Sequence, residues 1–177
     1  MRLCLSLGVA VAAGLVLFGC RSAPTTGASA EVGQPAPDVD ATTVEGQPVR
    51  LADLRGKVVV LDFWATWCGP CRAMIPHERR LVQELKDKPF AFVGVSVDDD
   101  AEALKDFLRD ERMTWPMVCD GPSGPLVKAY GVEAFPTLFL IDAQGVVRHK
   151  YLGNPGSETL ERSIEKLLRE AEGAKQD

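Results

Sequence analysis

The chain opens on an apolar run from Leu3 to Phe18, broken only by Ser6, Gly8 and Gly14, and then changes character. From Cys20 to Pro37 the residues are small, polar or proline, with almost nothing to bury. Structure-forming patterns begin at Val39. Val39 to Leu51, turning at Glu45-Gly46, predicts a short hairpin. Lys57 to Trp64 is a continuous β-branched apolar run that carries one acid, Asp62, and predicts a strand covered on both faces. Between Arg72 and Lys86, apolar residues recur at helical spacing at Met74, Ile75, Leu81, Val82 and Leu85, with Pro76 expected to kink that helix. Phe90 to Val97 predicts a second buried strand, and Asp98-Asp99-Asp100 offers caps for a helix whose Leu104, Phe107 and Leu108 share a face. A calcium loop is the weaker reading of those acids, because the Gly and distal Glu of an EF-hand are missing.

The remaining pattern is a short strand from Trp115 to Cys119, a Gly/Pro loop, a brief helix from Leu126 to Tyr130, and a hairpin of Pro136 to Asp142 with Val146 to Tyr151. Ser157 is expected to cap a last helix that buries Leu160, Ile164, Leu167 and Leu168. The order predicts an α/β fold, a central mixed β-sheet flanked by helices, with an N-terminal hairpin and an inserted helix and strand. At 177 residues the chain has room for one domain. We place it at 38–177, behind a flexible tether at 20–37 whose span is on the order of 20 to 25 Å.

The apolar run after Arg2 is short of the roughly 20 residues that span a bilayer and suits a secretory signal at 1–19. Leu17-Phe18-Gly19-Cys20 resembles a bacterial lipobox, although Phe18 is larger than the residue usual there. The resemblance implies cleavage before Cys20 and a lipid anchor on its thiol. Ala28-Ser29-Ala30 is a rival cleavage site. An uncleaved anchor is the last reading, and all three predict a domain exported to the bacterial cell envelope. Twenty Lys+Arg stand against 25 Asp+Glu, a net charge of −5, so a nucleic acid partner is not expected. Nothing in the pattern asks for a second copy, and a monomer is expected.

With Cys4 in the signal and Cys20 lipidated, three thiols remain: Cys68, Cys71 and Cys119. No second C-x-x-C completes a four-thiolate metal site, and a disulfide between Cys68 and Cys71 closes too short a loop to restrict the unfolded chain much. The place of the pair favours redox chemistry instead. It sits where a buried strand passes into a helix, with Cys68 just ahead of the first turn, where free backbone N–H groups and the helix dipole stabilise a thiolate. Cys71 lies within the first turn, less accessible to a partner. His77, on the same helix and without an Asn or Asp orienter, reads as a surface residue rather than a hydrolase base. Cys119 reads as a small apolar residue at a strand end.

Val60-Leu61-Asp62-Phe63-Trp64-Ala65-Thr66-Trp67-Cys68-Gly69-Pro70-Cys71 resembles the active-site segment of thioredoxins. Gly33-Gln34-Pro35-Ala36-Pro37-Asp38, Leu51-Ala52-Asp53-Leu54-Arg55-Gly56-Lys57 and Phe135-Pro136-Thr137 extend the likeness to the exported TlpA/ResA group. The resemblance implies a thioredoxin fold and a thiol-disulfide oxidoreductase that needs no metal or organic cofactor, only a Cys68-Cys71 dithiol/disulfide. Cys68 would attack, Cys71 resolve, Asp62 manage the proton of Cys71, and a cis Pro136 lie against the pair. Trp67, Gly69, Pro70 and Phe135 would meet disulfide-containing protein substrates. Gly69-Pro70 matches reducing thioredoxins, and a reductant in an oxidising compartment needs a membrane electron donor. Met74 departs from relatives that serve cytochrome c maturation, which carry a Glu near this place. A thiol peroxidase is the rival enzyme, with Thr66 two residues before Cys68 where peroxidases place a Thr three before; a non-catalytic binding module is the other alternative.

Overall fold

The computed structural model describes residues 29–173. Signal segment, lipobox, Cys20 and half of the expected tether, residues 20–28, lie outside them. The elements are β1 (Asp40–Thr42), β2 (Pro48–Arg50), a 3-10 turn at Leu51–Leu54, β3 (Val58–Trp64), α1 (Gly69–Glu84), β4 (Phe90–Ser96) and α2 (Ala101–Asp110). Then follow β5 (Met117–Cys119), α3 (Pro125–Tyr130), β6 (Thr137–Ile141), β7 (Val147–Leu152) and α4 (Ser157–Gly173). This is the α/β arrangement expected, including the hairpin and the inserted helix and strand. Two details differ. Ser157 is the first residue of α4 rather than its cap, and the Gly156 carbonyl before it accepts from Leu160 N–H. The helix α1 runs on through Pro76 to Glu84.

The five-stranded sheet has the order β5-β4-β3-β6-β7, with β3, β4 and β5 parallel and β6 and β7 antiparallel to their neighbours. All seven residues of the central strand β3 are buried, which explains its unbroken apolar run. Side chains alternate across it. Phe63 packs on Tyr130 of α3 and Phe139 of β6. Trp64 points the other way, to Phe107 of α2, whose ring also lies under Arg72 of α1. Asp62 therefore shares its face with Trp64, beneath α1.

The N-terminal segment does more than lead in. Gly33 N–H donates to Val147 O and Val147 N–H to Gln34 O, so this stretch pairs with the first residue of β7 and the turn before it. At the opposite edge Val44 N–H donates to Met117 O, and Thr43 bridges Val118 of β5. Ala30 and Ala36 are buried, and Tyr130 Oη donates to Pro37 O. The tether expected to reach Pro37 is thus already packed on the domain from Ala30. Small size hid this in the sequence: Ala and Gly bury little area yet let the backbone reach a sheet edge closely.

Candidate active site

The end of β3 delivers Ala65-Thr66-Trp67 to the start of α1, and Cys68 is the N-cap of that helix. Its backbone is extended, and its Sγ accepts from Cys71 N–H at 3.3 Å. Pro70 occupies the first turn, where a missing N–H costs nothing. Cys68 and Cys71 are joined as a disulfide with a Cα–Cα separation of 5.3 Å. When the bond opens, the free N–H groups of the first turn face the Cys68 sulfur and favour its thiolate. The expected contrast in accessibility is small in this state: Cys68 is 5% exposed and Cys71 3%. The cap position, not solvent exposure, distinguishes them.

An aromatic rim flanks the pair. Trp67 is 66% exposed, and its ring meets that of Phe135 edge-on with centroids 6.0 Å apart. The Phe135–Pro136 peptide is cis, and Pro136 O accepts from Gly153 N–H at 2.8 Å, which ties this loop to the end of β7. Trp64, by contrast, is core, with its indole N–H 3.0 Å from Met117 Sδ. A cleft of about 390 Å³ lined by Lys57, Phe90 and Trp115, among others, lies at the other end of β3 and takes no part here.

Asp62 stands in β3 as expected, 5% exposed, with Oδ1 buried and unpartnered. Its cross-strand neighbours are Gly94 and Leu138, so neither adjacent strand supplies a charge. Desolvation pushes its pKa up to about 7.

Three features were not anticipated. Glu78 is buried, 2% exposed, and its carboxyl is driven well above the usual range, first by burial and then by the charge of Asp62. The signal was there: Cys71, Met74, Ile75 and Leu81 form a buried stripe, and position 78 is the acid at an apolar spacing. His77 is also buried rather than on the surface, with Nε2 2.7 Å from Glu161 Oε1 on α4, because α4 packs over the face of α1 that carries it. Asp98 is no cap. It closes the loop before Cys68, accepting from Thr66 N–H at 3.0 Å, Thr66 Oγ1 at 2.7 Å and Ser96 Oγ at 2.6 Å. Asp100 alone caps α2, through Glu102 and Ala103 N–H. Cys119 is half-buried and donates its S–H to Asp98 O at 3.2 Å; burial, then the charge of Asp98, pushes its thiol up.

The geometry joins a disulfide at a helix N-terminus to a cis-proline loop and a buried acid, and residues 31–168 match the Redoxin family model. The chain belongs to the Redoxin family. Among relatives of this redoxin, the thiol-disulfide oxidoreductase ResA of Bacillus thuringiensis subsp. konkukian is 35% identical over 137 residues, 77% of this chain and 79% of that one. The thioredoxin-like protein YneN of Bacillus subtilis is 32% identical over 136 residues, 75% and 78% of the two chains. In a crystal structure, a thiol:disulfide interchange protein of the thioredoxin family from Chlorobium tepidum superposes with a TM-score of 0.70 at 30% identity, covering 80% of this redoxin and 99% of that chain. The thioredoxin fold expected from the motif is the fold of this redoxin.

Proposed function

We propose that the chain is an exported, membrane-tethered thiol-disulfide oxidoreductase that reduces disulfides in protein substrates. Thiol-disulfide oxidoreduction itself is the activity of the chain. The observation that carries the rest is Cys68 as the cap of α1, closed on Cys71 beside an exposed Trp67 and the Phe135-Pro136 loop.

In the reducing direction, Cys68 thiolate bonds to one sulfur of the substrate disulfide, and the other sulfur leaves as a thiolate. Cys71 then loses its proton and bonds to Cys68, which frees the second substrate thiol and leaves the enzyme oxidised. Trp67 and Phe135 offer apolar contact for a substrate chain, and the disulfide itself is the only redox group the cycle uses. Return to the dithiol needs two electrons, which we assign to a membrane donor. A lipid on Cys20 holds the domain at the extracytoplasmic face as a monomer. No helix among the described residues is long and apolar enough to cross a membrane.

The peroxidase alternative loses ground on one contact: the Thr66 hydroxyl donates to Asp98 instead of facing the cysteine. A direct comparison decides the matter. The reduced full chain is mixed with insulin, and separately with hydrogen peroxide, and loss of its thiols is followed. Rapid insulin reduction with slow peroxide consumption is expected. Faster consumption of peroxide, or no reaction with insulin, would reject the proposal.

A further inference from the structure

Two acids lie in the layer between β3 and α1. Asp62 is at mid-strand, and Glu78 is on the stripe of α1 that turns Cys71, Met74, Ile75 and Leu81 toward the sheet. Both are more than nine-tenths buried, and among the described residues neither forms an ion pair. The charged groups on the surrounding elements are engaged elsewhere. Gly94 of β4 and Leu138 of β6 flank Asp62; Arg72 of α1 lies over Phe107 of α2; His77 of α1 is held by Glu161 of α4; His149 of β7, on the same face of the sheet as Asp62 but opposite Leu140, is stacked on Tyr151; and Lys150 of β7 lies over Phe139, on the far face. Two carboxyls without a counter-ion in one apolar layer cannot both be ionised cheaply. Seven residues separate Glu78 from Cys71, about 10.5 Å along the helix axis, so Glu78 reaches the cysteine through Asp62 rather than by contact.

We propose that Asp62 and Glu78 form a single two-carboxyl proton site beneath Cys71, in which Glu78 is the positioning residue that keeps its proton while Asp62 carries the one negative charge. This deepens the reading of Cys71 as the resolving thiol and rests on it. During resolution the S–H proton of Cys71 passes to the Asp62 carboxylate, and the Cys71 sulfur bonds to Cys68. The bond from Cys68 to substrate breaks with its electron pair on the substrate sulfur, which takes a proton from water. The enzyme pair is oxidised and the substrate sulfur reduced. Throughout, the pair holds no more than one negative charge, because two charges in this layer would discourage each other. Burial displaces both carboxyls upward, and the charge of Asp62 adds to the displacement of Glu78.

Carbon-13 NMR titration of the side-chain carboxyls in the oxidised full chain tests the pair without reference to activity. Glu78 should titrate well above an ordinary Glu, and Asp62→Asn should lower its midpoint by about one pH unit or more. Stopped-flow decay of the mixed disulfide across pH tests the role. Glu78→Gln should keep the acidic limb, which belongs to Asp62, and lose the inflection on the alkaline side, while Glu78→Asp should restore it. An ordinary Glu78 titration, a midpoint unmoved by Asp62→Asn, or a Glu78→Gln profile superimposable on wild type would overturn the proposal. If the NMR pair is present but no mixed disulfide forms at all, the assignment of the cysteines fails and the link to Cys71 falls with it.

Discussion

At the scale of single residues, the energetics of Asp62 work against stability and in favour of chemistry. Its folded pKa of about 7 exceeds that of an unfolded Asp, so the folded state binds the proton more tightly. Folding therefore has the full benefit of this group at pH 4 and below and loses it progressively as pH rises through 7. The displacement is worth on the order of 4 kcal/mol. Asp62→Asn removes the penalty: chemical denaturation should find the variant level with wild type near pH 4 and more stable by a few kcal/mol at pH 8. The same variant should resolve mixed disulfides slowly at neutral pH and recover at alkaline pH, where Cys71 ionises unaided. A stability difference that does not grow with pH would show that the carboxyl is not buried in the charged form. An acid inside an apolar strand is visible in a sequence as an anomaly, which is why Asp62 was legible. Glu78 was less so, because a charged residue on a helix is normally a solvated one, and only the tertiary placement of α1 shows which face is covered.

At the scale of elements, the loop that presents Cys68 is held by a carboxylate at the end of the neighbouring strand. Three donors converge on Asp98, two of them from Thr66, so only an acceptor on both oxygens fits, and an amide would turn its own N–H groups toward donors. Asp98→Ala should cost about 2 to 4 kcal/mol by orphaning buried donors, and should slow attack by Cys68 by roughly tenfold or more through misplacement of the thiol. Thr66→Ser, which keeps the hydroxyl, should retain both stability and rate, whereas Thr66→Val should share part of the loss. Thiol alkylation kinetics beside thermal melts separate the two effects; unchanged alkylation in Asp98→Ala would make the contact a purely structural one. Strands and helices were legible here because the central strands are unbroken apolar runs and α2 and α4 keep one helical period of burial. The clamp was not, since Asp98-Asp99-Asp100 offers three chemically equal candidates and only the direction in which β4 leaves the sheet decides which acid turns back.

At the scale of the whole molecule, the segment from Ala30 to the first hairpin is part of the fold. It meets both sheet edges: residues 33–36 pair with the first residue of β7 and the turn before it, and Thr43 and Val44 engage β5. Unpaired edges invite pairing with other chains, and this arrangement blunts both. Cys20→Ser should release the protein from the membrane fraction without changing the rate of insulin reduction, and mass spectrometry of the mature N-terminus should find a lipidated Cys20; a terminus at Glu31 would contradict the anchor.

The central claim is that Cys68 attacks a protein disulfide and Cys71 resolves it. Its most direct test is to incubate reduced Cys71→Ser full chain with a disulfide-bonded protein, quench with acid, and map the covalent adduct by mass spectrometry. The account predicts a stable mixed disulfide at Cys68 that wild type does not accumulate. An adduct at Cys119, or none in the variant while wild type reduces the same protein, would contradict it.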